Sequence, residues 1–457
     1  MSLFTQAKER VTSLVPARVV GTIADVVGLT IEAADFAAPL GAMARIERRQ
    51  GGALMAEIVG FRHGHTLLMP LGDMRGVSRG DSVELLLTQA RVATGEGLLG
   101  RVVDALGRPL DGKSAPLLYT TREVFADAPA AMGRPPIRKP LLTGIRAIDG
   151  LFTCGRGQRV GLFAGSGVGK STLMGMLCRN SDADAMVVCL VGERGRELRD
   201  FIEHSLGAEG LARSVVVCAT SDEPPLLRVR SAFAATAIAE SLRDQGRHVL
   251  LLMDSVTRLA MAQREIGLSA GEPPTTKGYP PSVFAMLPRL LERAGNAEKG
   301  SITAFYTVLV DGDDVNEPIA DALRGILDGH LWLSRELANR GHFPAIRVDD
   351  SISRLMADVT QPEHQTLATR LRRLFTLHRQ NEDLVNIGAY HRGSNAELDE
   401  AITLMPKMLA FLAQRRDEKC LWPQTLEALR QATASGALRA NPRPAAPKAA
   451  PRSAPKR

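Results

Sequence analysis

The 457-residue sequence predicts an α/β protein with a small β-barrel before a parallel sheet and a helical domain after it. Three observations predict this fold class. Short apolar runs broken by Gly, Pro and Asp fill residues 17–92, and longer apolar runs alternate with helical segments over 93–365. Residues 366–438 show mostly helical spacing. Because a chain of this length exceeds one ordinary core, we expect each region to form its own domain.

The barrel prediction rests on four apolar runs, each bounded by turn residues. The runs are 18–27, 42–47, 54–60 and 82–87. Short strands of even spacing with turn signals between them are typical of small antiparallel barrels.

The apolar runs of the central region predict strands that are buried on both faces, as in a parallel sheet. These runs are 159–164, 186–191, 215–219, 248–254, 302–310 and 330–333. Ligands bind at the carboxyl edge of such a sheet. Polar residues directly after these runs are therefore the first candidates for a functional site.

Two terminal segments fall outside the predicted domains. Residues 1–16 place apolar side chains at helical spacing, which predicts a short amphipathic helix that packs on its own body or docks a partner. Residues 439–457 are mostly Pro, Ala, Lys and Arg without apolar periodicity. This composition predicts a disordered basic tail.

Composition argues against several classes of protein. Apolar residues make up 45% and charged residues 23% of the chain, the balance of a globular protein. No apolar run approaches the ~18–20 residues that a membrane span needs. The five cysteines have no metal-like spacing, which predicts reduced, buried thiols in a cytosolic protein.

Charge and aromatic content argue against a specific nucleic-acid partner. From residue 439 onward there are six basic residues and no acid, so six of the seven net positive charges belong to the tail. The barrel region 18–87 contains only Phe36 and Phe61 as aromatic residues. A protein that grips single strands needs basic and aromatic side chains together.

The run 159–164 leads directly into a glycine-rich turn and then an apolar helix. The turn reads Gly165-Ser166-Gly167-Val168-Gly169-Lys170-Ser171-Thr172. Glycines let backbone N–H groups converge on phosphate oxygens, and the helix N-terminus adds a positive dipole. Strand, turn, Lys-Ser and helix together indicate a P-loop. The sequence therefore predicts an ATP site in which Lys170 reaches the β and γ phosphates and the Ser171 hydroxyl binds Mg²⁺.

Acidic residues follow two of the predicted strands. Asp254 ends the run 248–254, where its carboxylate would hold Mg²⁺ through water, although it is also a candidate helix cap. Glu193 follows the run 186–191, and hydrolysis needs a carboxylate that orients the attacking water. Glu197, one helical turn further along, is the rival for this role, and a solvated surface pair is the alternative for both.

A positive group must also balance the charge that develops on the γ phosphate. The pattern of residues alone does not choose among five candidates. They are Arg194, Arg324, Arg340, Arg347 and Arg354.

Longer motifs resemble the rotary F-type and V-type ATPase superfamily. They are the P-loop 164–172, Gly-Glu-Arg-Gly-Arg-Glu at 192–197 and Met-Asp-Ser-Val-Thr-Arg at 253–258. Four further stretches narrow the resemblance. The Pro-rich 271–284, Leu-Asp-Gly-His at 327–330 and Ser-Ile-Ser-Arg at 351–354 are similar to type III protein export ATPases, and 387–402 favours their flagellar branch over the injectisome branch.

The resemblance implies a RecA-like P-loop core in a homohexamer that hydrolyses ATP. It implies that Glu193 is the catalytic glutamate and Asp254 the Mg²⁺ aspartate. It also implies that Arg354 is an arginine finger donated from the neighbouring subunit, with a structural ion pair as the alternative. Phe343 stands where the family usually has a Tyr that stacks on adenine, and its ring still offers a π face. Arg347 stands where the family often has an acid.

The resemblance also implies partners and a location. The segment 1–16 is similar to the helix that docks a regulatory, stator-like export protein. The Pro-rich loop 271–281 would face the ring channel, where a stalk protein or substrate is engaged. The family implies work at the membrane export gate on chaperone–substrate complexes. We therefore expect a cytoplasmic protein that associates peripherally with the inner membrane.

Other functions compete with flagellar export. An injectisome ATPase is the nearest alternative. The catalytic subunit of a rotary ATP synthase is less expected, because its acidic C-terminal signature is missing and one chain carries both Glu193 and Arg354. A ring helicase would need stacking aromatic residues on the barrel. A non-catalytic nucleotide-binding scaffold would show no turnover.

Overall fold

A computed structural model describes residues 18–310 and 317–434. Within these ranges the chain forms a closed barrel, a nine-stranded sheet with helices on both faces, and a C-terminal helical region. The predicted fold class is confirmed. The predicted segment 1–16 and the tail 439–457 lie outside the described residues.

Six strands form the barrel. They are β1 (Val20–Val27), β2 (Thr30–Ala34), β3 (Met43–Glu47), β4 (Ala53–Arg62), β5 (His65–Pro70) and β6 (Ser82–Leu87). They close in the order β1-β2-β5-β4-β3-β6, and every neighbouring pair is antiparallel. The apolar runs predict four of these strands and miss β2 and β5. Both follow their neighbours after two-residue turns, which leave little break in the pattern.

The remaining strands belong to the central region. They are β7 (Arg91–Thr94), β8 (Arg101–Asp104), β9 (Thr120–Glu123), β10 (Pro140–Leu141), β11 (Cys154–Gly155), β12 (Arg159–Ala164), β13 (Ala185–Glu193), β14 (Ser214–Thr220), β15 (His248–Asp254), β16 (Gly295–Asn296), β17 (Ser301–Leu309), β18 (Gly329–Leu333) and β19 (Ile352–Ser353). The main sheet has the order β19-β18-β12-β17-β15-β13-β14-β8, with β16 beside β17. Strands β16 and β19 run antiparallel to their neighbours and the others are parallel.

Helices cover both faces of the sheet and form the C-terminal region. Around the sheet lie α1 (Arg146–Leu151), α2 (Lys170–Asn180), α3 (Gly195–Asp200), α4 (Gly207–Ala212), α5 (Pro225–Arg243), α6 (Val256–Ala270), α7 (Pro281–Leu291), α8 (Pro318–Ile326) and α9 (Arg335–Asn339). After them come α10 (Met356–Val359), α11 (Pro362–Gln380), α12 (Glu382–Asn386), α13 (Ala396–Leu412) and α14 (Trp422–Thr433). Among the helices in the described ranges, none has the length and apolar character to cross a membrane.

The sheet separates two apolar cores. Along β13, Val187 and Val191 belong to one core and Val188 and Leu190 to the other, because successive side chains of a strand point to opposite faces. The second core also contains Leu371 of α11 and apolar residues of α13 and α14. The C-terminal helices therefore pack on the same face of the sheet as the helix α2.

The domain limits themselves stay predictions. The predicted limit between residues 365 and 366 falls inside α11, so the helical region begins slightly before it in the structure. All five cysteines are free and buried, as the lack of metal-like spacing predicts.

Candidate active site

The glycine-rich turn connects the end of β12 to the start of α2. Gly167 and Gly169 have φ angles of 79° and 91°, a backbone region in which any residue with a Cβ is strained. Ser166 and Gly167 are exposed, and so are Ser171 and Thr172 in the first turn of α2. The turn is therefore open to an anionic ligand, with the positive end of α2 directed at the same place.

Three parallel strands bring the predicted site residues to one edge of the sheet. Strand β12 ends beside the P-loop, β15 ends at Asp254 and β13 ends at Glu193. Leu190 is the partner of Asp254 in the pairing of β13 with β15. Glu193 therefore lies three residues beyond the level of Asp254. The structure thus brings Lys170, Glu193 and Asp254 to the same carboxyl edge.

Lys170 and Asp254 contact each other in the floor of this site. Lys170 Nζ forms an ion pair with Asp254 Oδ1, and both side chains are largely buried. Thr307 Oγ1 on β17 donates a hydrogen bond of 2.6 Å to the same carboxylate oxygen. No sequence signal indicates Thr307, because it lies within an apolar run and has no motif around it.

Glu193 is a carboxyl group of altered acidity at this edge. Burial raises the pKa of Glu193 to about 7, helped by a hydrogen bond with Glu197 and by the charge of Asp254, while Lys170 and Arg258 oppose the rise. The hydrogen bond with Glu193 lowers the pKa of Glu197. Glu193 thus keeps its proton up to near neutral pH, and Glu197 is the ionised member of the pair.

Arg258 is a site residue that the sequence analysis misses. Its Nη2 lies 3.4 Å from Glu193 Oε2, and its Nη1 donates to the carbonyl of Gly192. Arg258 belongs to the motif 253–258 and lies in the first turns of α6. The motif was a usable signal, but nothing in its spacing shows that this side chain turns back toward β13.

Arg354 lies at the opposite edge of the sheet. Its backbone N–H donates to the carbonyl of Asp328 at 3.0 Å, and its exposed side chain donates to the carbonyl of Arg324 at 3.1 Å. The Asp328 carboxylate accepts from the backbone N–H of Arg159, the first residue of β12, at 3.0 Å. Because β12 has six residues, about 17 Å of strand separates this end from the P-loop. The chain does not bring Arg354 to its own P-loop.

Arg347 forms ion pairs close to its own position in the chain. Its Nη2 contacts the carboxylate of Asp350, and it lies 3.8 Å from Asp349. These acids balance its charge locally.

Phe343 lies against the P-loop. A Cβ added at Gly169 would be 3.3 Å from the nearest ring atom of Phe343. The residue is 44% exposed. An aromatic ring is therefore available beside the phosphate turn, at the position that the resemblance assigns to adenine stacking.

The residues at this edge also fit a Mg²⁺ ion. The exposed Ser171 hydroxyl and the Asp254 carboxylate are oxygen ligands, which Mg²⁺ prefers. Mg²⁺ usually keeps several waters and binds few protein groups besides substrate phosphates. In the described part of the chain no group of three or more His, Cys, Asp or Glu side chains could form a metal site, and a nucleotide-bound Mg²⁺ does not need one.

Fold and site together define a P-loop nucleotide-binding protein in which a β-barrel precedes the nucleotide-binding domain in the chain and a helical region follows it. Residues 144–353 match the nucleotide-binding domain of the ATP synthase alpha/beta family, and residues 23–86 match the beta-barrel domain of that family. Residues 360–431 match the T3SS EscN ATPase C-terminal domain.

Two relatives narrow the class of P-loop protein to which the chain is similar. The flagellum-specific ATP synthase of Bacillus subtilis is 54% identical over 415 residues, covering 90% of this chain and 95% of that protein. The type 3 secretion system ATPase of Xanthomonas euvesicatoria is 50% identical over 432 residues, covering 94% of this chain and 98% of that one.

The solved structure of the assembled ATPase EscN, from the type III secretion system of enteropathogenic E. coli, is also similar. Its TM-score is 0.86 at 44% identity, covering 91% of this chain and all of that chain. EscN in complex with its central stalk EscO gives a TM-score of 0.84 at 43% identity, with the same coverage. The chain belongs to the family of flagellum-specific and type III secretion ATPases, and it is an ATP-hydrolysing enzyme.

Proposed function

We propose that this chain is the ATP-hydrolysing motor subunit of a flagellar type III protein export apparatus. It promotes the release of export substrates from chaperones and their entry into the membrane export gate. The observation that carries the proposal is the convergence of Lys170, Glu193 and Asp254 beside the P-loop, in a chain 54% identical to a flagellum-specific ATP synthase. The injectisome ATPase stays as the second candidate, because a type 3 secretion system ATPase is 50% identical.

The P-loop residues 165–172 bind the triphosphate of ATP in this proposal. Lys170 contacts the β and γ phosphates, and Ser171, together with Asp254 through water, holds Mg²⁺. When bound, Mg²⁺ neutralises charge on the phosphates. A phosphate that takes Lys170 as its partner releases Asp254 Oδ1, which the hydrogen bond from Thr307 keeps oriented. The ring of Phe343 stacks on adenine.

Glu193 is the proposed catalytic base. It orients the attacking water and takes up its proton. A base works best when its pKa lies near the working pH, and burial raises the pKa of Glu193 to about 7. Arg258 holds the carboxylate from the side at 3.4 Å.

The site needs a second protomer to be complete. Arg354 is exposed and lies about a strand length from its own P-loop, so we assign it to the active site of the neighbouring subunit. The solved assembled form of EscN supports such an assembly. In a homohexamer with Arg354 as a finger in each interface, the carboxyl edge of one subunit supplies the P-loop and the amino edge of its neighbour supplies the arginine.

The proposed partners follow the ring architecture. The EscN–EscO complex supports a stalk protein in the ring channel, where we place the Pro-rich loop 271–281. A regulatory, stator-like export protein at residues 1–16, chaperone–substrate complexes and the membrane export gate complete the proposal. It implies a cytoplasmic protein at the inner membrane with no specific nucleic-acid partner.

The enzymatic part is tested by measuring phosphate release from ATP. Lys170→Ala should lower turnover on the order of 10³-fold, because a group that stabilises transition-state charge is lost. Lys299→Ala is the matched control, since Lys299 is exposed and lies away from the site. Normal hydrolysis by Lys170→Ala would defeat the site assignment.

The flagellar part is tested by deleting the gene in its own bacterium. We expect the loss of flagellar filaments and motility, with recovery by the wild-type gene and none by Lys170→Ala. If filaments persist and another secreted set of proteins disappears instead, the injectisome assignment is correct.

A further inference from the structure

A turn of the C-terminal helical region contacts the residue beside the P-loop. This turn, residues 413–418, connects α13 to α14. The backbone N–H of Gln414 donates to the carbonyl of Phe343 at 2.8 Å. Because the ring of Phe343 lies against Gly169, this hydrogen bond links the helical region to the proposed adenine platform.

Gln414 is fixed by hydrogen bonds on every polar atom of its side chain. Its Oε1 accepts from the backbone N–H of Arg146 at 2.8 Å. Its Nε2 donates to the carbonyls of Gly144 at 2.8 Å and Glu418 at 2.9 Å. The residue is only 5% exposed. A buried amide with all its groups bonded has one orientation, and losing any partner is costly.

Arg146 holds the same turn from the other side. Its Nε donates to the carbonyl of Phe411 at 3.1 Å, its Nη2 donates to the carbonyl of Ala413, and its Nη1 pairs with the carboxylate of Glu418. We call the set Gly144, Arg146, Gln414 and Glu418 the Gln414 clamp. It joins segments that are 268 residues apart in the chain.

The base of the Gln414 clamp packs closely against the C-terminal end of the P-loop helix α2. The buried Asp149 carboxylate accepts from the backbone N–H groups of Thr143 and Gly144, both at 2.9 Å. Gly144 has a φ of 70°, and a Cβ there would lie 2.8 Å from Cβ of Asn180, the last residue of α2. The clamp therefore contacts both the helix that follows the P-loop and the backbone of Phe343.

We infer that Gln414 and Arg146 are positioning residues that hold Phe343 for adenine stacking, so that the C-terminal helical region sets the affinity for the base of ATP. The inference rests on the proposed ATP site. Neither residue belongs to the phosphate-binding turn, and so affinity for the base and affinity for the triphosphate are separable. Movement of the helical region would change the affinity for the base and leave the affinity for the triphosphate unchanged.

Two ligands distinguish these affinities. ATP carries the base, whereas inorganic tripolyphosphate carries only the phosphates and acts as a competitive inhibitor. In Gln414→Ala we expect the KM for ATP to rise about tenfold, the size of a lost base–aromatic stack. The kcat and the inhibition constant of tripolyphosphate should stay at wild-type values.

Two more variants complete the design. Arg146→Lys keeps a positive charge for Glu418 but loses the planar fork that reaches several carbonyls, so its KM for ATP should lie between wild type and Gln414→Ala. Arg430→Ala is the control from the same helical region, because Arg430 pairs with Glu363 at 2.9 Å on the exposed surface. Should Gln414→Ala fail to fold, Arg146→Lys carries the test alone.

Two results would overturn this inference and leave the proposed ATP site intact. An equal rise of the ATP KM and of the tripolyphosphate inhibition constant would show a general loss of structure. Unchanged values for both would show that Phe343 is held without the clamp. A wild-type chain that neither hydrolyses ATP nor responds to tripolyphosphate would overturn the proposed ATP site itself, and the inference with it.

Discussion

The two edges of the central sheet differ in how their charged residues are held. At the carboxyl edge, Lys170 and Asp254 form a largely buried ion pair, and Glu193 is 8% exposed beside Arg258. At the amino edge, the Arg354 side chain is exposed, its backbone N–H donates to the carbonyl of Asp328, and its Nη2 donates to the carbonyl of Arg324. Buried charges must be paired within the fold, because an unpaired buried charge is strongly destabilising.

One edge is thus organised within the chain, whereas in the proposed ring the other edge contributes to the site of a neighbouring subunit. The carboxyl edge is organised in advance, which is how electrostatic stabilisation of a transition state becomes effective. The Arg354 side chain at the amino edge is exposed and donates to the carbonyl of Arg324, and in the proposed ring it faces another subunit. Predictions that separate the two edges therefore test the proposed ring directly.

The largest expected effect concerns Arg354. Arg354→Ala should lower kcat about 10³–10⁵-fold, the worth of an arginine finger, while binding of a fluorescent ATP analogue stays near the wild-type value. Arg340→Ala, which removes another exposed arginine, is the control.

Mixing experiments decide whether Arg354 acts across the interface. Subunits with Arg354→Ala and subunits with Lys170→Ala should recover part of the activity together, because some interfaces then combine an intact P-loop with an intact finger. Absence of any recovery in mixed rings would contradict a role in the neighbouring site.

At the carboxyl edge, Glu193→Gln should lower kcat by about 10²–10⁴-fold, the usual contribution of a general base. Glu197→Gln should have the smaller effect, since Glu197 acts on Glu193 through a hydrogen bond. Steady-state rates of the two variants decide between them. The reverse order of effects would make Glu197 the base.

The pH profile is a further test of the carboxyl edge. The pKa of Glu193 is raised to about 7 by burial, and a base must be deprotonated to work. Below pH ~7, kcat/KM should therefore fall about tenfold for each pH unit. Arg258 lowers the pKa of Glu193, so Arg258→Ala should move the acidic limb to higher pH. A limb that stays in place would show that another group controls it.

The smallest expected effect is that of Phe343→Tyr. The added hydroxyl lies on a half-exposed ring, and exposed substitutions rarely change a free energy enough to alter KM by more than about twofold. Titration with ATP measures the change. A large rise in the KM for ATP would mean that there is no room for the added hydroxyl beside the ring of residue 343.

The sequence predicts the parts of this protein that depend on nearby residues. The strands β12 and β15 are continuous apolar runs, and their bounds match the prediction. The P-loop follows β12 and Asp254 is the last residue of β15, so their common edge follows from the parallel order of the sheet. The strands β2 and β5 are missed, because two-residue turns and polar positions hide them.

Only the tertiary structure decides the contacts between distant segments. The motif 253–258 contains Arg258 but does not indicate its contact with Glu193. No periodicity or motif indicates the contact of Thr307 with Asp254 or that of Gln414 with Arg146. The position of Arg354 at the opposite edge is set by the antiparallel pairing of β19 with β18. The physical reason is range. A turn or an apolar run is specified by neighbours in the chain, whereas these pairs form only when packing brings together segments that are tens or hundreds of residues apart.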